Sequence, residues 1–130
     1  MEYQITHIDV NSKFESCFTE RATELFELSG MFISQRQEVL NFRYRKSLPN
    51  YKSDWHVAGD PTFIVVQSGC IEIELRNGQK KQFCAGEAFV AADYLPKNIM
   101  FSEQHGHRAR VIGNDEFVAI HFKLSLKNEG

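Results

Sequence analysis

Cysteine, proline and tryptophan are scarce in this 130-residue chain, which has three, three and one of them. Cys17, Cys70 and Cys84 form an odd set with no C-x-x-C or other short ligand spacing. A disulfide framework or structural zinc site is therefore not expected, and a reducing cytoplasm fits. No apolar run approaches the length of a membrane span. The opening stretch from Met1 to Phe14 carries Glu2, Asp9 and Asn11, which argues against a signal peptide. Charge of one sign is also lacking: 15 basic against 17 acidic residues, net −2, leave no broad footprint for a polyanion. Neither nucleic acid nor a membrane is expected as a partner. Without a Gly-rich phosphate loop, a nucleophile elbow or a Ser/His/Asp arrangement, a hydrolase or nucleotide enzyme has no support.

What the chain does have is phenylalanine, eleven residues of it, at strand-like positions with no basic stripe beside them. Core packing is their expected use, because stacking on single-stranded nucleic acid calls for a cationic groove as well. The length suits one domain, residues 1–130, burying roughly two-thirds of its unfolded surface. Leu48-Pro49-Asn50-Tyr51-Lys52-Ser53 separates an N-terminal arm, residues 1–46, from a β-rich part, residues 54–124. The arm holds Ile5 to Val10 and Ser16 to Leu28, and the Thr19 to Leu28 stretch is compatible with a helix by propensity or a covering strand by alternation, with strand favoured. From Val39 onward Leu40, Phe42 and Tyr44 alternate with Asn41, Arg43 and Arg45, as in a strand with one buried face.

Beyond the arm, short strands are expected at Phe63–Gln67, Ile71–Leu75, Lys80–Phe83, Ala88–Ala92, His107–Ile112 and Phe117–Leu124, with pairing resuming over Ile99–Ser102. Asn77-Gly78 marks a tight hairpin. A loop one residue longer than the plain two-residue turn, with Gly78 in a bulge, sets Ile71 opposite Phe83 and Cys70 opposite Cys84. That register matches apolar partners best. The two cysteines are read as small buried apolar residues, not as a disulfide. Many short strands separated by Gly and Asn turns imply a barrel or sandwich.

Two histidine-bearing segments, Asp54-Trp55-His56 and Gly106-His107-Arg108, flank this β-rich stretch. Counted back from Gly69, they resemble the cupin family's paired motifs. The first family histidine falls on His56, the second on Ala58 and the family glutamate on Thr62. His107 matches the second motif, although Pro-x-Gly is absent and Val111 stands where an asparagine is usual. Ala85-Gly86-Glu87 is similar to the family's turn between the motifs. The resemblance covers Asp54 to Leu124 and implies an all-β, cupin-type jelly-roll β-barrel with an N-terminal arm. It also implies a homodimer in which the arm pairs with its partner.

The function expected from this is binding of a small organic molecule at the barrel mouth, lined by Trp55, His56, Thr62 and His107, with no cofactor assured. An alternative is a metal-dependent enzyme of oxygenase or isomerase type, with Fe, Mn, Ni or Zn on His56 and His107. Its third ligand would be His105 or His121, because the glutamate is missing. Another alternative is a non-catalytic sensory or interaction module. Arg108 and Arg110 are read as anion binders or as salt-bridged surface charge, to Glu116, Asp115 or Glu103. Glu72 and Glu74 are expected to face solvent.

Overall fold

In a computed structural model the chain is described from residue 1 to residue 126, and these residues form eleven strands. They are β1 (Glu2–Val10), β2 (Ser16–Glu24), β3 (Phe26–Leu28), β4 (Met31–Ile33), β5 (Val39–Ser47), β6 (Thr62–Ser68), β7 (Cys70–Leu75), β8 (Lys80–Cys84), β9 (Ala88–Ala91), β10 (His107–Ile112) and β11 (Phe117–Leu124). The six-stranded sheet runs β2-β1-β9-β6-β11-β5, and the three-stranded sheet runs β10-β7-β8. Residues 51–56 add an interrupted fourth strand to the smaller sheet. Ser53 N–H donates to Ala109 O, Val111 N–H to Tyr51 O, and His56 and His107 exchange both backbone hydrogen bonds.

Taken in chain order from β5, with residues 51–56 as the second member, eight strands form two facing sheets. Their orders are first-eighth-third-sixth and second-seventh-fourth-fifth. That is the double Greek key of a jelly roll, left open because the two sheets are not hydrogen-bonded into a closed cylinder. Val39–Ser47, counted with the arm in the sequence, is thus the first strand of the barrel, paired along its length with β11. The arm proper is β1 and β2, which extend the larger sheet beyond β9, and a β3–β4 hairpin whose strands pair only with each other.

Strand alternation fills the space between the sheets. Ile64 and Val66 from β6, Ile71, Ile73 and Leu75 from β7, Phe83, Phe89, Ala109, Val111, Phe117, Ala119 and Ile8 form one apolar core. The hairpin register is the expected one, with Cys70 opposite Cys84 and Ile71 opposite Phe83. Gly78 takes φ 90° in a three-residue loop closed by Gly78 N–H on Leu75 O. Gly69 has φ 75°, and a Cβ there would lie 2.3 Å from Glu116 O, so the β6–β7 turn accepts no other residue without backbone movement.

Two expectations are corrected. Cys70 and Cys84 are bonded as a disulfide, because the register sets them face to face at a Cα–Cα distance of 4.1 Å; Cys17 is free. Residues 99–102 form no strand. They sit in the loop leading to β10, where Ile99 N–H closes a turn on Pro96 O.

Candidate functional site

The two histidines of the motif segments meet. Because His56 and His107 form a directly opposed pair at the edge of the smaller sheet, their imidazoles lie side by side, ring centroids 4.5 Å apart. Gly106 makes this approach possible. Its φ is 89°, and a Cβ would fall 2.6 Å from His56 O. His107 is buried and His56 exposed, so the pair runs from the interior to the surface.

Each ring is fixed by its Nδ1. His56 Nδ1 lies 2.8 Å from Asp54 O, and because a carbonyl can only accept, Nδ1 carries the proton. His107 Nδ1 lies 2.7 Å from Asp93 Oδ2 in the same sense. With Nδ1 committed, each imidazole leaves its Nε2 as the ring atom available for something else. Neither Nε2 has a hydrogen-bond partner among the described residues.

Asp93 anchors the site, and sequence reasoning missed it. The residue is fully buried just beyond β9. Its Oδ2 accepts from His107 and from Ser16 Oγ (2.6 Å), and its Oδ1 accepts from Ala58 N–H (3.0 Å). Burial pushes the carboxyl group's pKa up. The hydrogen bond and charge of His107, with the bonds from Ser16 and Ala58, outweigh that and hold it below the ordinary aspartate value. Ala58, where the family's second histidine would stand, thus contributes a backbone donor in place of a ligand. No local sequence signal singles out Asp93, whose partners lie 14, 35 and 77 positions away.

The other expected site residues lie elsewhere. Trp55 alternates to the outer face of the smaller sheet, where the Arg76 and Arg108 guanidiniums lie 4.2 and 4.6 Å from its ring. Thr62 lines a different cavity, shared with His121. His105 Nδ1 accepts from Ser102 N–H, and its Nε2 faces Gln104, so the loop that carries it occupies both ring nitrogens. His121 Nε2 is 3.5 Å from Arg45 Nη1. Burial, followed by the charges of Arg45 and Arg43, lowers its pKa to about 4. Arg108 and Arg110 are neither free anion binders nor partners of Glu116, Asp115 or Glu103. They pair across strands with Glu74 and Glu72, both at 2.8 Å, and these bonds hold the two glutamates below their ordinary pKa.

The donor set does not fit a resident divalent metal. Among the described residues no group of three or more His, Cys, Asp or Glu side chains is placed to hold one. Two imidazoles with a carboxylate committed to the Nδ1 of one of them fall short of the usual complement.

No family model matches the chain, and no curated protein matches it. Among solved structures, the chain is similar to protein NMB1881 from Neisseria meningitidis, at 21% identity and TM-score 0.45 over 69% of this chain and 84% of that one. It is also similar to a cupin-2 domain containing protein from Shewanella frigidimarina, at 20% identity and TM-score 0.44 over 69% and 80%. A third is a cupin domain from Bordetella pertussis, at 14% identity and TM-score 0.47 over 70% and 86%. At this level of likeness no residue roles carry across.

The Asp93 network makes a stability prediction. Asp93→Ala strands three donors in the interior and should destabilise the protein by roughly 2–4 kcal/mol at neutral pH. Because the folded-state pKa is depressed, the carboxylate's contribution is complete above the unfolded value of about 3.9 and is lost as pH falls through the folded one. Urea unfolding of both proteins at neutral pH and near pH 3 should show the gap narrowing in acid; an unchanged gap would sink the assignment.

Proposed function

We propose that this chain binds a small organic molecule at the mouth of its jelly roll, with His56 and His107 as the groups that recognise it. One observation carries this reading. Two imidazoles stand side by side with their Nδ1 atoms committed and their Nε2 atoms unbonded, and one ring is locked by a buried carboxylate. A pair of fixed ring nitrogens selects a ligand whose hydrogen-bonding groups match their spacing, such as vicinal hydroxyls. Recognition then depends on geometry already set before binding. The chemistry available is hydrogen bonding and proton transfer at Nε2, and nothing in the arrangement calls for catalysis.

Ligand binding of this kind should appear as a rise in Tm that grows with ligand concentration. A panel of polyols, sugars and amines should contain a compound that stabilises the wild type and has no effect on His56→Ala, an exposed position that leaves the fold intact. A panel in which no compound shifts Tm, or equal shifts in both proteins, would count against the proposal.

The proposed partner for assembly is a second copy. The β3–β4 hairpin exposes Phe26, Leu28, Met31, Phe32 and Ile33, and the edge strand β5 exposes Leu40, Phe42 and Tyr44. An isolated two-stranded hairpin is marginal in water, and an exposed apolar edge invites pairing. Light scattering at micromolar concentration should give twice the 15.0 kDa chain mass, reverting toward one chain in Phe32→Glu/Phe42→Glu; a wild type with the mass of one chain overturns the proposal.

No helix among the described residues is long and apolar enough to cross a membrane. The cytoplasm is the proposed location; a reducing compartment holds most cysteine pairs as thiols, so the bonded Cys70–Cys84 pair stands against it and supplies the test. Alkylation in intact cells should then modify Cys70 and Cys84 as well as Cys17. Protection of the pair before reduction would place the protein in an oxidising compartment.

A further inference from the structure

A cavity of about 430 Å³ lies on the β5–β11–β6 side of the barrel. It is lined by Asn41, Phe42, Arg43, Gly59, Asp60, Thr62, His121 and Lys123. Register explains its lining. Asn41 is opposite Lys123 and Arg43 opposite His121 across β5–β11, while Lys123 is opposite Thr62 and His121 opposite Ile64 across β11–β6. Because Ile64 points into the core, this row of polar residues occupies the inward face of the larger sheet. Phe42, from the opposite parity, stacks outside against Phe122 and forms the rim.

The charge in this wall is not balanced. Asp60 is the one carboxylate in the lining among the described residues, and Lys123 takes it up at 3.0 Å. Arg43 has no carboxylate partner among the described residues, and neither has Arg45, two residues on along the same face. Arg45 is half-buried, with Nε donating to Ser47 Oγ at 3.0 Å and its guanidinium 5.1 and 5.4 Å from the Phe117 and Tyr51 rings. These contacts hold its position without neutralising it. The smaller sheet shows the contrast, because Arg108 and Arg110 there are each matched by a glutamate on the neighbouring strand. Between Arg43 and Arg45, His121 is held unprotonated by burial and by their charges, so the cationic donors of this wall are the arginines and Lys123.

We propose that this cavity binds a small oxyanion, the carboxylate or phosphate group of an organic acid or ester. Arg43 supplies the forked donor, Arg45 the fixed charge behind it, and Asn41 a neutral hydrogen bond. A guanidinium matches two oxygens of either group at once, and its charge-assisted bonds strengthen in a partly dehydrated cleft. The inference stands apart from the reading of His56 and His107, whose side chains do not line this cavity.

The test is calorimetric titration of the wild-type protein with inorganic phosphate and, separately, with succinate, at low ionic strength. Saturable one-site binding of at least one probe is expected, and the tighter of the two identifies the group. Arg43→Ala, at an exposed position, should weaken it about tenfold or more, and Arg43→Lys should recover part of the loss. His56→Ala should leave the affinity unchanged. Arg108→Ala removes the same charge from the other sheet and should leave it unchanged too. Absence of saturable binding by either probe, or an equal loss in Arg43→Ala and Arg108→Ala, overturns the proposal, the latter because it would show diffuse attraction and no site.

Discussion

A single buried carboxylate holds together parts of this molecule that the sheets alone would leave separate. Asp93 binds Ser16 at the start of β2, Ala58 beyond the interrupted strand and His107 on β10. It thereby ties the N-terminal arm, the entrance segment and both sheets to one point. Dehydrating a carboxylate costs several kcal/mol, and the cost is recovered only when donors of good geometry fill its lone pairs. Three donors from three segments do so here. The bond to His107 fixes a proton on its Nδ1, so the constraint that secures the arm also decides which ring nitrogen stays unbonded.

The distribution of ion pairs divides the barrel into a closed surface and an open one. On the outer face of the smaller sheet, cross-strand register places Arg108 against Glu74 and Arg110 against Glu72. Trp55 fills the remaining space between Arg76 and Arg108. Those guanidiniums are satisfied. On the inner face of the larger sheet, the same two-residue period sets Arg43, Arg45, His121 and Lys123 against a single lining carboxylate. Alternation works identically in both sheets, and the difference lies only in which residue types fall opposite one another.

Much of the scaffold was legible before any coordinates. Period-two alternation located β5 and β7, although on β5 the apolar Leu40, Phe42 and Tyr44 face outward and the polar set faces in. Apolar runs between turn signals located β6 and β9. The Asn77-Gly78 turn led to the register that puts Cys70 against Cys84, because a one-residue slip would have turned Ile71 and Ile73 outward. The meeting of His56 and His107 also followed from the paired motifs. Alternation applied to Trp55 and His56 would have shown that neighbours on one strand face opposite ways, and that the tryptophan cannot share the histidines' pocket. The cysteine pair was read against its own register, because the expected compartment weighed more than the face-to-face placement.

Local pattern therefore determined the strands, the principal turn and the two histidines, since each depends on residues within a few positions along the chain. Tertiary structure alone decided that Asp93 and Ser16 complete the histidine site, that Thr62 belongs with His121 and Arg43, and that Arg43 and Arg45 lack a carboxylate partner among the described residues. A buried charge is identified by what surrounds it in space. In a jelly roll, those surroundings come from strands far apart in sequence, brought together only when the second sheet closes over the first.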